Sequence, residues 1–459
     1  MRTDLARHAK TVAALATVLL FSTGCIDPTL DLNGPAAAPV EPTREASAAQ
    51  GNAAADARPP AKQQDASTIH EGVDGDATTE TDPEMEPAPQ PTELEPTARE
   101  SEDPTADDPA SSTAAACDTT GGVVIPVDAN AANVMRGRPA GTTYVVAAGV
   151  HRGNFSVQPR SGDTFCGEPG AVLDGGGRLR TAFSGFAANV TLDSLTARAY
   201  DDGRQGGAIS PNPRAPGWVV RNVSAVENHW AGLLAADGMK VLGGEYNDNG
   251  QLGIGGNGAT GILLDGLDGD RSTIDGPEIA RNKTLRESCS WEGGGFKWSE
   301  GTVIVRNAHV HHNACKGLWA DINARKAVIE YNLVEDNKAE GIFYEISQDA
   351  VIRNNQVYRN GLGMGSWYWG GGITAASSFN VEVYGNRLSG NYNGVTGTQQ
   401  NRTEFSPPAH LLDGFSVHDN TICATAGKYP TGVGADNGVN LAARTIAFNS
   451  NTVQDTPCD

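Results

Sequence analysis

Two carboxylates recur at one place in a repeated pattern. Asp321 follows Gly317 by four residues, and Glu345 follows Gly341 by the same four. The segments around them read Phe296-Lys297-Trp298-Ser299, Leu318-Trp319-Ala320-Asp321-Ile322, Ile342-Phe343-Tyr344-Glu345-Ile346 and Ile373-Thr374-Ala375-Ala376. If each is a strand, alternation of period two turns Leu318, Ala320 and Ile322, and likewise Ile342, Tyr344 and Ile346, inward. Lys297, Trp319, Phe343 and Thr374 then form one outward column, and Ser299, Asp321, Glu345 and Ala376 a second. Stacked strands lie about 4.8 Å apart. Asp321 and Glu345 are therefore expected within roughly 5 Å of each other, with Lys297 one strand away.

Like charges this close repel, and three kinds of chemistry use such a pair. The two groups can share a proton, hold a hard cation such as Ca²⁺, or divide into acid and nucleophile for glycoside cleavage. A lyase would instead use Asp321 and Glu345 to hold Ca²⁺ against a uronate, Lys297 as base and Arg325 as helper. The plain structural alternative is that solvent, Arg325 and Lys297 neutralise the pair. Two insertions precede these strands. Residues 284–294 carry Trp291 and Glu292, and residues 361–371 carry Trp367 and Trp369. They are expected to wall a groove floored by Trp319 and Phe343. Aromatic faces beside polar groups suit sugar rings, which makes Trp291, Trp319, Phe343, Trp367 and Trp369 candidate substrate contacts. Cys289 and Cys315 fall at one corner and can form a disulfide that pins the first wall.

The elements that must position these residues repeat. An apolar residue is followed by Asn three on, an apolar residue five on, Asn eight on, then Gly and an apolar residue. Ile329, Asn332, Val334, Asn337, Gly341 and Ile342 fit throughout. Val305, Ala308, Val310, Asn313, Gly317 and Leu318 fit except at the first Asn. The spacing from Leu233 to Ile254 is 21 residues, from Phe296 to Leu318 is 22, and from Leu318 to Ile342 is 24. Such a period with short apolar alternations means stacked coils of short strands. Leucine is too sparse for leucine-rich repeats, and a propeller blade needs about twice the length. The repeated Asn residues are expected to form a structural ladder rather than a ligand site.

From these repeats, and from Thr142–Val150 with Gly167-Glu168-Pro169-Gly170-Ala171-Val172-Leu173-Asp174-Gly175, the chain resembles right-handed parallel β-helix proteins of the pectate-lyase-like group. The resemblance covers residues 121–459. It implies an all-β, single-stranded right-handed β-helix that acts on or binds polysaccharide, most simply an acidic one. The group includes lyases, hydrolases, epimerases and non-catalytic binders, so the fold alone does not choose a reaction. The calcium-binding nonapeptide of secreted epimerases and an Asp-Pro-His-Asp motif are absent from the sequence.

Weaker candidates lie elsewhere. His309, His311 and His312 surround a turn, where alternation does not converge them. Asp265, Asp268 and Asp270 occupy a Gly-rich loop.

The rest of the chain bears on location. Arg2, Arg7 and Lys10 precede an apolar run from Val12 to Phe21 and then Ser22-Thr23-Gly24-Cys25. That pattern reads as an export signal over residues 1–24, too short to span a membrane. Gly24-Cys25 resembles the lipobox of bacterial lipoproteins, which implies acylation of Cys25 and attachment to a lipid bilayer at the cell envelope. Six cysteines remain, an even number that suits disulfides in an exported chain. Residues 25–116 read as a disordered acidic tether and residues 117–459 as the folded domain. Residues 26–116 hold 20 Asp and Glu against 4 Lys and Arg, 13 of the 25 prolines, and no aromatic residue. They cannot bury enough apolar surface to fold. Their net charge of −16 accounts for most of the chain's −21, the opposite of a nucleic-acid-binding footprint. Glycine, 56 of 459 residues, is about 12% against a usual ~7%, which argues against a helical protein. A monomer is expected.

Overall fold

The computed structural model describes residues 117–458 except 269, 286–287, 290–291, 402–409 and 436–438. The signal, Cys25 and the tether therefore lie outside the described residues, as does Trp291. Among the described residues the only α-helix is Ala131–Met135, and the strands pair parallel, each with its equivalent one coil away. The coils build a 13-stranded sheet, a 10-stranded sheet and a third face divided into 4- and 7-stranded sheets.

Four consecutive strands of the 10-stranded sheet matter most. They are β1 (Gly294–Ser299), β2 (Lys316–Asp321), β3 (Ile342–Glu345) and β4 (Gly371–Ala376). Their register is the one the repeat dictates: Lys297 pairs with Trp319, Trp319 with Phe343, and Phe343 with Thr374. Ser299 pairs with Asp321 and Glu345 with Ala376, so Asp321 and Glu345 lie on one column. Phe296, Trp298, Leu318, Ala320, Ile342 and Tyr344 fill the solenoid interior. Phe296 and Trp298 stack there with centroids 4.9 Å apart.

The asparagines form two ladders. Asn228, Asn249, Asn282, Asn313, Asn337 and Asn360 each donate from Nδ2 to the next Oδ1 at 2.9–3.1 Å, ending at Asn391. Asn332, Asn355, Asn386 and Asn420 do the same at 2.9 Å, ending at Asn451. Buried amides must be paired, and stacking one per coil pairs them at every level. The ladder also explains the repeat's glycine. A Cβ at Gly317 would stand 2.6 Å from the Gly341 carbonyl and 2.9 Å from Asn337 Nδ2. Only a residue without a side chain fits beside the stacked amides.

One expectation fails at the strand ends. Ile322 and Ile346 do not continue the inward row, and both line a surface cavity instead. They have φ of 37° and 38°, a region that β-branched residues seldom enter. The turn after Asp321 and Glu345 breaks the two-residue period, and Ala324 takes the interior place beyond it.

Candidate functional site

Outside the solenoid core, a second apolar cluster joins Trp319, Phe343 and Ala376, with Trp369 packed against it. Charged groups surround it. The Lys297 ammonium donates to Glu292 Oε1 at 2.7 Å, lies 2.8 Å from Asp321 Oδ2 and sits 3.9 Å from the centre of the Trp319 ring. Asp321 Oδ1 accepts the backbone N–H of Ile322 at 2.8 Å. Trp319 Nε1 donates to Glu345 Oε2 at 3.2 Å. Trp319, Asp321, Phe343 and Glu345 line a cavity of about 390 Å³ with Lys316, Glu340, Met364 and Trp369, and Lys297 and Glu292 stand behind Asp321, outside that lining.

Lys316 and Glu340 stand immediately before Gly317 and Gly341, and each anchors one wall. Lys316 Nζ donates to the Cys289 carbonyl at 2.7 Å, and the Cys289–Cys315 disulfide, with Cα atoms 5.3 Å apart, fixes the same segment. Glu340 Oε1 accepts the Gly370 N–H at 2.9 Å, which ties down the second insertion. Lys316 Nζ also lies 4.1 Å from the Trp319 ring centre and 5.3 Å from that of Phe343. Burial pushes its ammonium below the usual lysine value, against the opposing pull of Glu340 and Glu345. Strict alternation places Lys316 on the same face as Leu318, in the core, so period reasoning overlooks it. A comparison of the residues preceding each repeat glycine would have found the pair.

The structure thus brings together Lys297, Trp319, Asp321, Phe343, Glu345, Trp369 and Cys289 with Cys315. It places others elsewhere. Trp319 and Phe343 show only 3% and 4% of their surface, so they form a floor rather than open stacking platforms. Trp367 is 40% exposed, meets Tyr368 edge-on and does not line the cavity. Tyr368 in turn stacks on Tyr429 at 3.8 Å, which draws this part of the insertion towards later coils. Arg325 is exposed and starts the strand Arg325–Glu330 of the 13-stranded sheet. There it lines a separate hollow with Arg214, Glu300 and Gln348. The helper role expected of Arg325 has no geometric support, because the turn at Ile322–Asn323 carries the chain onto another face.

A Ca²⁺ ion takes roughly six to eight oxygen ligands. Asp321 already commits one oxygen to Lys297 and the other to a backbone N–H. No group of three or more Asp, Glu, His or Cys side chains converges as a metal cage among the described residues. The donor set here does not fit Ca²⁺.

The weaker candidates resolve as structural pairs. His309 contacts Glu335 and His311 contacts Glu278, at 2.9 and 3.2 Å. Contrary to the alternation argument, these rings do meet: His309 stacks on His311 with centroids 4.0 Å apart, and His311 Nδ1 lies 2.8 Å from His312 Nδ1. Asp265 is buried and paired with Arg306 at 2.7 Å. Asp268 and Asp270 accept backbone N–H groups of their own loop.

Residues 212–388 match the sequence family described as a right handed beta helix region. No curated protein matches the chain. Several solved structures are similar. One is the A-module of a mannuronan C-5 epimerase from Azotobacter vinelandii, at 12% identity over 72% of this chain and 92% of that one, with a TM-score of 0.44. Another is a periplasmic alginate epimerase, at 13% identity over 72% and 83%, with a TM-score of 0.44. A third is an alginate lyase from Paenibacillus sp., at 13% identity over 69% and 99%, with a TM-score of 0.30. The family match and the parallel coil-to-coil pairing together make this chain a right-handed parallel β-helix protein.

Proposed function

We propose that this is a carbohydrate-active protein of the bacterial cell envelope, tethered by lipid at Cys25, whose cleft on the 10-stranded sheet binds and cleaves a polysaccharide. The observation that carries the reading is the environment of the two stacked carboxylates. Asp321 Oδ2 lies 2.8 Å from the Lys297 ammonium, and Glu345 Oε2 accepts the indole N–H of Trp319 one coil away. In this reading Asp321, oriented by Lys297, acts as base or nucleophile. Glu345 then serves as the acid that protonates the leaving oxygen. Adjacent coils set the two about 5 Å apart, the scale of an acid and nucleophile flanking one glycosidic bond. Lys297 is held between Glu292 and Asp321, so it positions Asp321 and does not serve as a free base. Trp369 and Met364, at the cavity's edge, offer apolar surface to sugar CH faces.

The expected preference for an acidic polymer needs cations free to meet uronate groups. Lys316 in the cleft and Lys297 beside it are both engaged by neighbouring groups. A non-catalytic glycan binder is the second reading, favoured by the low exposure of Asp321 and Glu345, 7% and 9%. Product analysis on a panel of neutral, uronate and amino-sugar polysaccharides separates them. New reducing ends support the hydrolytic reading, and unsaturated ends would replace it with a lyase. Binding to a glycan without either product would leave the binder, and no binding to any polymer would remove the carbohydrate reading.

A further inference from the structure

The two outward columns of the 10-stranded sheet continue beyond the cleft. After β4 come β5 (Asn393–Gln399) and β6 (Thr431–Ala435). Glu345 pairs with Ala376, Ala376 with Thr398, and Thr398 with Gly434. Phe343, Thr374, Thr396 and Gly432 run beside them in the same way. Gly434 therefore stands on the carboxylate column three coils past Glu345, roughly 14 Å along the stack. Rings of the second insertion cover both glycines. A Cβ at Gly434 would collide with Trp367 and Tyr368, and one at Gly432 would stand 3.1 Å from Tyr368 Cε1.

These rings are held in place before any ligand arrives. The buried Asn393 donates from Nδ2 to the Trp367 carbonyl at 2.7 Å and to the Trp369 carbonyl at 2.9 Å. Thr396 Oγ1 donates to the Tyr368 carbonyl at 2.8 Å. Tyr368 stacks on Tyr429 and meets Trp367 edge-on. Trp367 has a φ of 46°, left-handed backbone that a bulky residue seldom adopts and that concentrates at ligand contacts. Yet the residue stays 40% exposed. Covering the sheet does not call for this, because Tyr368 already lies over both glycines.

Resting on the glycan reading above, we infer that Trp367, backed by Tyr368 and Tyr429, is a second sugar-stacking subsite, and that the polymer lies along the stack of coils from the carboxylate pair to that ring. Its ligand is the apolar CH face of a pyranose several units removed from the one at Asp321 and Glu345. A ring fixed in advance adds affinity with little ordering cost. Only a chain long enough to reach both places gains from it, so the protein discriminates by polymer length.

The test is calorimetric titration of the full-length protein with oligomers of rising length, from the disaccharide upwards, of β-1,4-linked glucose, mannuronate and N-acetylglucosamine. Should none bind, oligomers of whichever panel polymer does bind take their place. Affinity is expected to climb about tenfold once the oligomer spans both places, and then to level off. In Trp367→Ala the loss of affinity should grow with oligomer length, and Trp367→Phe should keep most of the climb. The length series is run on the unmodified protein, so it stands whether or not a variant folds. Affinity that is flat with length, or a climb that persists in Trp367→Ala, overturns the subsite and leaves the glycan reading intact. A loss equal at every length also overturns it and makes Trp367 a strut of the insertion. If no oligomer and no polymer of the panel binds, the glycan reading fails and takes this inference with it.

Discussion

Lys297 bridges two carboxylates while most of its surface is buried, so its partners cannot be removed freely. Asp321→Asn takes away one of its two anionic contacts. Relief of repulsion against Glu345 offsets only part of that loss. The expected cost is about 1–3 kcal/mol, with turnover abolished. Glu345→Gln keeps an acceptor for the Trp319 indole and should cost under about 1 kcal/mol while also abolishing turnover. Chemical unfolding alongside a product assay checks both. Variants that melt early yet keep full activity would assign the pair to the scaffold. Lys316 offers a pH readout. Its folded-state pKa lies below the ordinary lysine value because burial removes the ammonium from water. Between that lowered value and about 10.4, the unfolded chain holds a proton that the folded chain has released. Stability therefore gains from rising pH across this window, and Lys316→Met should lose that gain. Parallel curves of melting temperature against pH for the two proteins would show that Lys316 titrates as it does in water.

At the level of elements, the amide ladders and the pinned walls divide the work. Asn337 donates to the Val310 carbonyl and Asn360, and accepts from the backbone and side chain of Asn313. Asn337→Ala strands several buried groups at once and should cost about 2–4 kcal/mol, read from the denaturant midpoint. A loss below that range would mean that water enters the ladder and replaces the amide. The first wall depends on the Cys289–Cys315 bridge, which closes a loop of 26 residues. Replacing both cysteines by serine should cost about 2–4 kcal/mol. The same change frees the segment whose carbonyl holds Lys316, so the KM for glycan should rise more than kcat falls. Unchanged kinetics would show that Glu340 and the second wall suffice to shape the cleft.

On the scale of the whole molecule, stability in a solenoid accumulates from coil to coil, which lets one coil carry charges that cost stability locally. The main cluster of buried apolar residues runs from Ile125 to Ile422, and the charged cleft lies on its outer face in the middle coils. The other two disulfides, Cys117–Cys166 and Cys423–Cys458, lie near the two ends of the described chain. All three suit an oxidising compartment. The proposed lipid attachment is a separate matter, tested at the N-terminus. Cys25→Ala should shift the protein from the membrane fraction to the soluble one. A variant that still sediments with membranes after a salt wash would rule out that anchor.

The sequence by itself determined the coil, the two outward columns that hold Lys297, Asp321 and Glu345, the amide ladders, and the pairing of Cys289 with Cys315. It did so because a parallel coil-on-coil register leaves each residue one parity and one neighbour above and below. Only the tertiary structure decided what happens where that period stops. The left-handed turns at Ile322 and Ile346 bring two isoleucines to the cavity rather than the core. The bend before Gly317 and Gly341 takes Lys316 and Glu340 out of the interior row and onto the walls. The path of the second insertion carries Trp369 to the cleft and Trp367 away from it. Turn dihedrals and loop paths are set by contacts with distant coils, and a local repeat does not encode those. The pairing of Lys297 with both Glu292 and Asp321 is such a contact.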